Sequence, residues 1–166
     1  MNRRATRSRA AGLIIAASLV AVPLTGCSVN ASAGAGVDAE SDALWAHRTP
    51  YVGDSNKALA LIADTNFGPP RSYSIKLQTV NAPYDLTVTF PTTEVDGKPL
   101  DAIDFTPAAT KLLGTIGNLD SVTVTSNDTP VFTLTAKQAS KTLGFNVKQL
   151  GQDKRKLTDY VASDRD

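Results

Sequence analysis

One histidine, one cysteine and two glutamates are all that this chain holds of three side chains often used in catalysis. His47 as a general base needs an orienting carboxylate and a nucleophile beside it, and no serine stands in a Gly-x-Ser-x-Gly elbow to be that nucleophile. A solvated or packing histidine is the expectation, and zinc is disfavoured by the same lack of ligands. Asp96, Asp101 and Asp104 could converge on calcium, which takes oxygen ligands at flexible spacing, but they fit no EF-hand loop and read as a solvated loop. Glu40 and Glu94 have no apolar setting that would raise a carboxyl to glycosidic-acid duty. No catalytic residue, metal or cofactor is therefore expected. The chemistry that remains belongs to Cys27.

Arg3, Arg4, Arg7 and Arg9 precede an apolar run over residues 10–22, and Leu24-Thr25-Gly26-Cys27 follows. Charge, apolar run and small residues in that order make a secretory signal peptide. The run is short for a bilayer crossing, which takes about 20 residues. Small Thr25 and Gly26 let a signal peptidase approach the Gly26–Cys27 bond, with Leu24 as the apolar contact; the arrangement resembles the lipobox of bacterial lipoproteins. That resemblance implies acylation of the Cys27 thiol, removal of residues 1–26 and anchoring of the new N-terminus in the bilayer. The other reading is an ordinary cleaved signal with an incidental cysteine. Cys27 is the only cysteine in the chain, so no internal disulfide is possible. The expected address is the extracytoplasmic face of the cell membrane.

Without the leader, thirteen basic residues face sixteen acidic ones. A mildly acidic chain with no Lys/Arg cluster excludes nucleic acid as the expected partner, because phosphate neutralisation dominates that binding. Residues 28–43 are rich in Ser, Ala, Gly and Asp without apolar periodicity, and residues 27–44 read as a lipidated cysteine plus a flexible tether. Residues 45–163 are left as one domain.

Asp54 is a good N-cap for a helix over 55–64, with Ala58, Leu61 and Ile62 on one face. Gly68-Pro69-Pro70 stops it. Residues 72–80 and 84–91 alternate in period two across Asn81-Ala82-Pro83, which makes an antiparallel hairpin. Residues 94–104 read as a polar loop. Thr106-Pro107 opens a second helix whose stripe is Ala109, Leu112, Leu113 and Ile116, with Gly117-Asn118 ending it in a left-handed turn. Residues 119–126 and 130–134 form a second hairpin across 127–129. Thr135 with Gln138 resembles a capping box for a third helix that ends at Gly144, and residues 153–161 read as a charged surface helix. The fold expected is α+β: an antiparallel sheet of about four strands in two hairpins, with three to four helices packed mainly on one face.

Tyr51-Val52-Gly53-Asp54 followed by Ser55-Asn56-Lys57, the Asn81-Ala82-Pro83-Tyr84-Asp85-Leu86-Thr87-Val88 string and Ile116-Gly117-Asn118-Leu119-Asp120 resemble a family catalogued as domain of unknown function 4825. The similarity runs from Thr49 to about Val161. It implies a bacterial lipoprotein or the extracytoplasmic part of a membrane protein, some relatives being attached to sensor-type membrane peptidases. It implies no catalytic residue.

Tyr51, Gly53, Asp54 and Tyr84 are the candidate recognition residues. In one reading Tyr51 contacts a partner and Gly53 lets backbone approach a ligand; in the other Tyr51 and Val52 staple the helix entry while Asp54 caps it. Tyr84 likewise either recognises or continues the buried alternation. The expected function is a non-enzymatic binding or sensing module for an envelope protein or peptide, with a small-ligand-binding or hydrolytic lipoprotein as the alternative. Aromatic side chains such as Tyr73 or Phe90 on an exposed sheet face would favour the first reading, and a deep polar pocket the second.

Overall fold

A computed structural model describes residues 30–65, 67 and 73–165. Residues 1–26, expected to be a signal peptide, Cys27 and the Gly68-Pro69-Pro70 stretch lie outside the described residues. No helix among the described residues is long and apolar enough to cross a membrane.

The order of elements is α1 (Asn30–His47), α2 (Ser55–Asp64), β1 (Ser74–Leu77), β2 (Asp85–Phe90), β3 (Glu94–Val95), β4 (Lys98–Pro99), α3 (Thr106–Thr115), β5 (Ser121–Ser126), β6 (Thr129–Thr135), α4 (Ala136–Leu143) and α5 (Lys154–Ser163). Two 3-10 turns, Leu100–Ala102 and Val147–Gly151, precede α3 and α5. The class is α+β, as expected.

The main sheet runs β1-β2-β5-β6. Each hairpin is antiparallel, but β2 and β5 pair in parallel, with Leu86 opposite Val122 and Val88 opposite Val124. The expected all-antiparallel sheet is therefore a mixed one. Alternation tells which face of a strand is buried, not the direction of its neighbour, and the passage from β2 to β5 through α3 allows the two strands to run the same way. Residues 94–104 hold a second, two-stranded sheet rather than a loop. Asp96 and Gly97 both have positive φ there, 50° and 74°, as a tight two-residue hairpin requires. Asn127 and Asp128, at φ 47° and 66°, make the same kind of turn between β5 and β6.

Leu86, Val88, Phe90, Val122 and Val124 point to the core. Tyr73 meets Phe90 edge-on, with ring centroids 5.5 Å apart, and Phe105 packs on both Phe90 and Phe132. The aromatics thus line the inner side of the sheet, so the exposed aromatic face considered above is absent at Tyr73 and Phe90. The outer face carries Lys76, Asp85, Thr87, Thr89, Ser121, Thr123 and Thr133, and there Thr125 donates to Thr89 at 2.9 Å.

α3 forms the layer above the inner face. Asp104 accepts the Thr106 amide at 2.8 Å and Pro107 lies in the first turn, where a missing donor does no harm. Its predicted stripe is fully buried, yet so are Thr110, Lys111 and Thr115 on other faces. The reason is a second layer: α1, α2, α4 and the Val147–Gly151 turn all touch α3.

That second layer includes the segment expected to be a tether. The composition of residues 28–43 predicts a flexible tether, but the chain is helical from Asn30, with Ser41 and Leu44 buried and Val37 and Trp45 half-buried against the core. Lys111 of α3 pairs with Glu40 of α1 at 2.7 Å and Asp164 after α5 at 2.6 Å, and Arg165 also pairs with Glu40 at 2.6 Å. Small residues allow the helix to lie close to α5, and Glu40 finds a cation waiting. This helix brings the helix count to five.

The other helix signals hold. Asp54 caps α2 through the Lys57 amide, Thr135 and Gln138 form a reciprocal capping box on α4, and Gly144 ends it at φ 75°. Asp153 caps α5, whose Leu157 and Val161 are buried.

Burial alone would raise the Glu40 carboxyl, but hydrogen bonds from Lys111 and Arg165, with their charges, outweigh it and hold the group below the usual carboxylate range. Burial alone would lower the Lys111 ammonium, but hydrogen bonds to Asp164 and Glu40 outweigh it and hold it above the usual lysine range. A depressed carboxyl contributes stability that is complete above its unfolded pKa of about 4.3 and is lost as pH falls through its folded value. A raised ammonium contributes stability that is complete below about 10.4 and is lost as pH rises through its folded value. Denaturant midpoints measured against pH should therefore fall at both extremes, and Glu40→Gln should flatten the acid limb; an unchanged acid limb in that variant contradicts the assignment.

Candidate functional site

Three stretches distant in sequence are joined at the end of the sheet where β2 and β5 begin. Asp120 accepts the Tyr84 amide on its carboxylate at 2.8 Å and returns its own amide to the Tyr84 carbonyl at 2.8 Å. Ser121 donates to Asp85 at 2.5 Å, directly across the parallel register. On the other side of α3's C-terminus, Gly117 donates to Thr49 at 2.8 Å and Asn118 to Pro50 at 3.1 Å, while the Asn118 side chain accepts the Val52 amide at 2.7 Å. Thr49 and Ile116 form a parallel bridge.

Gly117 does not take the left-handed conformation expected of it, since it is not among the positive-φ glycines. Its role is proximity. A Cβ there would lie 3.0 Å from the Pro50 carbonyl oxygen, tighter than nine in ten real contacts.

Each candidate recognition residue has a definite place on this knot. Tyr51 is 66% exposed, whereas its neighbour Val52 is fully buried. A Cβ at Gly53 would stand 3.9 Å from the Thr79 Cβ, so the 50–54 loop lies beside the loop that follows β1. Val80 on that second loop is 79% exposed. Asp54 is occupied as the α2 cap, and Tyr84 is half-buried with its backbone in the knot. Gly26 and Cys27 lie outside the described residues.

Beneath the knot, Lys148 closes the end of α3. Its ammonium donates to the carbonyls of Leu113 at 2.8 Å, in the last turn of α3, and of Ile116 at 3.0 Å and Leu119 at 2.5 Å in the segment that follows; a helix end leaves its last carbonyls without intrahelical partners. Burial pushes this ammonium down to about 8, against the upward pull of the Asp120 charge. Beside it an open cleft of about 610 Å³ is bordered by Arg48, Lys57 and Lys148.

His47 does have a carboxylate: its Nδ1 lies 2.7 Å from Asp64, tying α1 to α2. No hydroxyl joins that pair among the described residues, and none of those residues form a group of three His, Cys, Asp or Glu able to hold a metal ion. Asp96 takes a turn position, Asp101 sits in the Leu100–Ala102 turn, and Asp104 accepts the Thr106 amide just ahead of α3, so the three loop aspartates occupy separate structural positions.

A family model described as a domain of unknown function, DUF4825, matches residues 44–139. The chain belongs to the DUF4825 family. No curated protein and no solved structure matches it. The matched span of the DUF4825 domain holds both sides of the knot, from Thr49 and Tyr84 to Asn118 and Asp120; Lys148 and α5 come after it. Sequence reasoning passed over Val80, Asn118, Asp120 and Lys148 as functional positions. Val80 falls on the polar side of the alternation of Tyr73, Ile75 and Leu77, and nothing local marks a lysine that will meet carbonyls some thirty residues earlier.

Replacing Lys148 by Met keeps the stem's packing but takes the ammonium away from the carbonyls of Leu113, Ile116 and Leu119. A loss of about 1–3 kcal/mol is expected in urea denaturation, the cost of an unpaired buried polar group. A variant as stable as the parent would show that the three carbonyls do not need the ammonium.

Proposed function

We propose that this protein is a lipoprotein held on the extracytoplasmic face of the cell membrane by acylated Cys27, and that its DUF4825 domain recognises another envelope protein or a peptide without catalysing a reaction. The anchor rests on the charged leader, the short apolar run and the Leu24-Thr25-Gly26-Cys27 string. One observation carries the recognition: Tyr51 and Val80 are exposed on two loops that lie side by side. The knot also fixes the 49–53 backbone. An apolar pair on a rigid support loses little entropy when it is covered, and tyrosine supplies large contact area for few rotatable bonds.

Two arms test the proposal in cells. Cys27→Ala should move the protein out of the membrane fraction; retention there contradicts the anchor. In the acylated chain, a photoreactive side chain at position 51 or 80 should give one discrete crosslinked product that the same group at Lys98, on the β3–β4 hairpin, does not. The same pattern from all three positions contradicts recognition at the knot.

A further inference from the structure

Two clefts of similar size differ in how their charges are used. One, of about 620 Å³, is bordered by Glu40, Asp64, Asp104 and Asp164 together with Lys111 and Arg165. There both cations are consumed by ion pairs, Lys111 with Glu40 and Asp164, and Arg165 with Glu40. The other, of about 610 Å³, is bordered by Arg48 just after α1, Lys57 from the first turn of α2 and Lys148 from the Val147–Gly151 turn, and no carboxylate among the described residues borders it. Three positive charges gather at one place on a chain whose acids outnumber its bases once the leader is removed.

The cations are presented differently. Arg48 lies over the Trp45 ring with its guanidinium carbon 3.8 Å from the centroid, and one terminal nitrogen donates to the Trp45 carbonyl. That fixes the plane of the guanidinium and leaves its other nitrogens with no hydrogen bond among the described residues. Lys57 makes no ion pair among the described residues. Lys148 spends its protons on the carbonyls of Leu113, Ile116 and Leu119 and gives the cleft charge rather than donors. Asn146 and Gln152 add side-chain amides at the rim.

We propose that this cleft binds a small phosphate-bearing ligand. A lone carboxylate would offset one of three charges, whereas a phosphoryl group carries up to two and offers three oxygens. The planar fork of an arginine matches two of those oxygens, and a lysine adds a mobile point charge. The rim amides suit the hydroxyl groups of the rest of the ligand. The volume lies within the range of small-molecule sites, about 300–1,000 Å³. The site depends neither on the anchor nor on a protein partner, so it stands or falls separately from them.

Calorimetric titration of the chain from residue 27 onward with inorganic pyrophosphate at low salt tests it. Saturable binding at one site per chain is expected, with Arg48→Gln and Lys57→Gln each weakening it about tenfold or more, as loss of a hydrogen bond to a charged group implies. Lys98→Gln should leave it unchanged, and thermal melts of each variant establish that the chain is folded. Absence of saturable binding at millimolar pyrophosphate, binding unaffected by the Arg48 and Lys57 variants, or equal weakening by Lys98→Gln would each overturn the site.

Discussion

A lysine ammonium set in the middle of a protein must have anions brought to it, and Lys111 is 5% exposed on a helix buried from all sides. Breaking a buried ion pair by removing one partner is strongly destabilising, about 3–5 kcal/mol, even where the intact pair adds little over an apolar replacement. The arrangement therefore acts mainly as a specification. Once α3 lies on the sheet, Glu40 must come from α1 and Asp164 from the end of α5, and both ends of the described chain are drawn onto the same helix. Arg165 completes the set by sharing Glu40. The fold reads as three layers, with α3 between the sheet and the outer helices.

This constraint explains where the sequence was legible. Apolar periodicity located α2, α3, α5 and both main hairpins, because each buries a face that its spacing spells out, and the Thr135–Gln138 capping box with Gly144 located α4. It missed α1, whose buried side consists of Val37, Ser41, Leu44 and the half-buried Glu40, a set with too few large apolar residues to show a period. The stabilising partner of Glu40 lies 71 positions further on, at Lys111. Strand direction was equally hidden, since the alternation of Leu86 and Val88 is the same whether Val122 and Val124 run with them or against them. The knot combines both problems. Tyr84 and Asp120 stood out as unusual strings, but their mutual hydrogen bonds follow from the parallel pairing of β2 with β5, which no local pattern encodes.

The architecture gives one end of the molecule both its rigidity and its exposed features. Asn118, Asp120 and Lys148 satisfy backbone groups that loops and helix ends would otherwise leave open, so the 49–53 loop needs no partner to hold its shape. Tyr51 and Val80 then stand out as apolar groups with nothing local to cover them, and the cationic cleft opens beside Thr49 and Pro50. With acylation at Cys27, α1 begins three residues after the lipid.

If Lys111 holds α1 in the folded body, hydrogen exchange of the α1 amides must report it. Amides from about residue 38 to 46 should exchange with protection comparable to those of α3, and Lys111→Met should release the α1 amides before those of α3. Unprotected exchange along α1 in the parent protein, with α3 still protected, would contradict the account and return the segment to a tether.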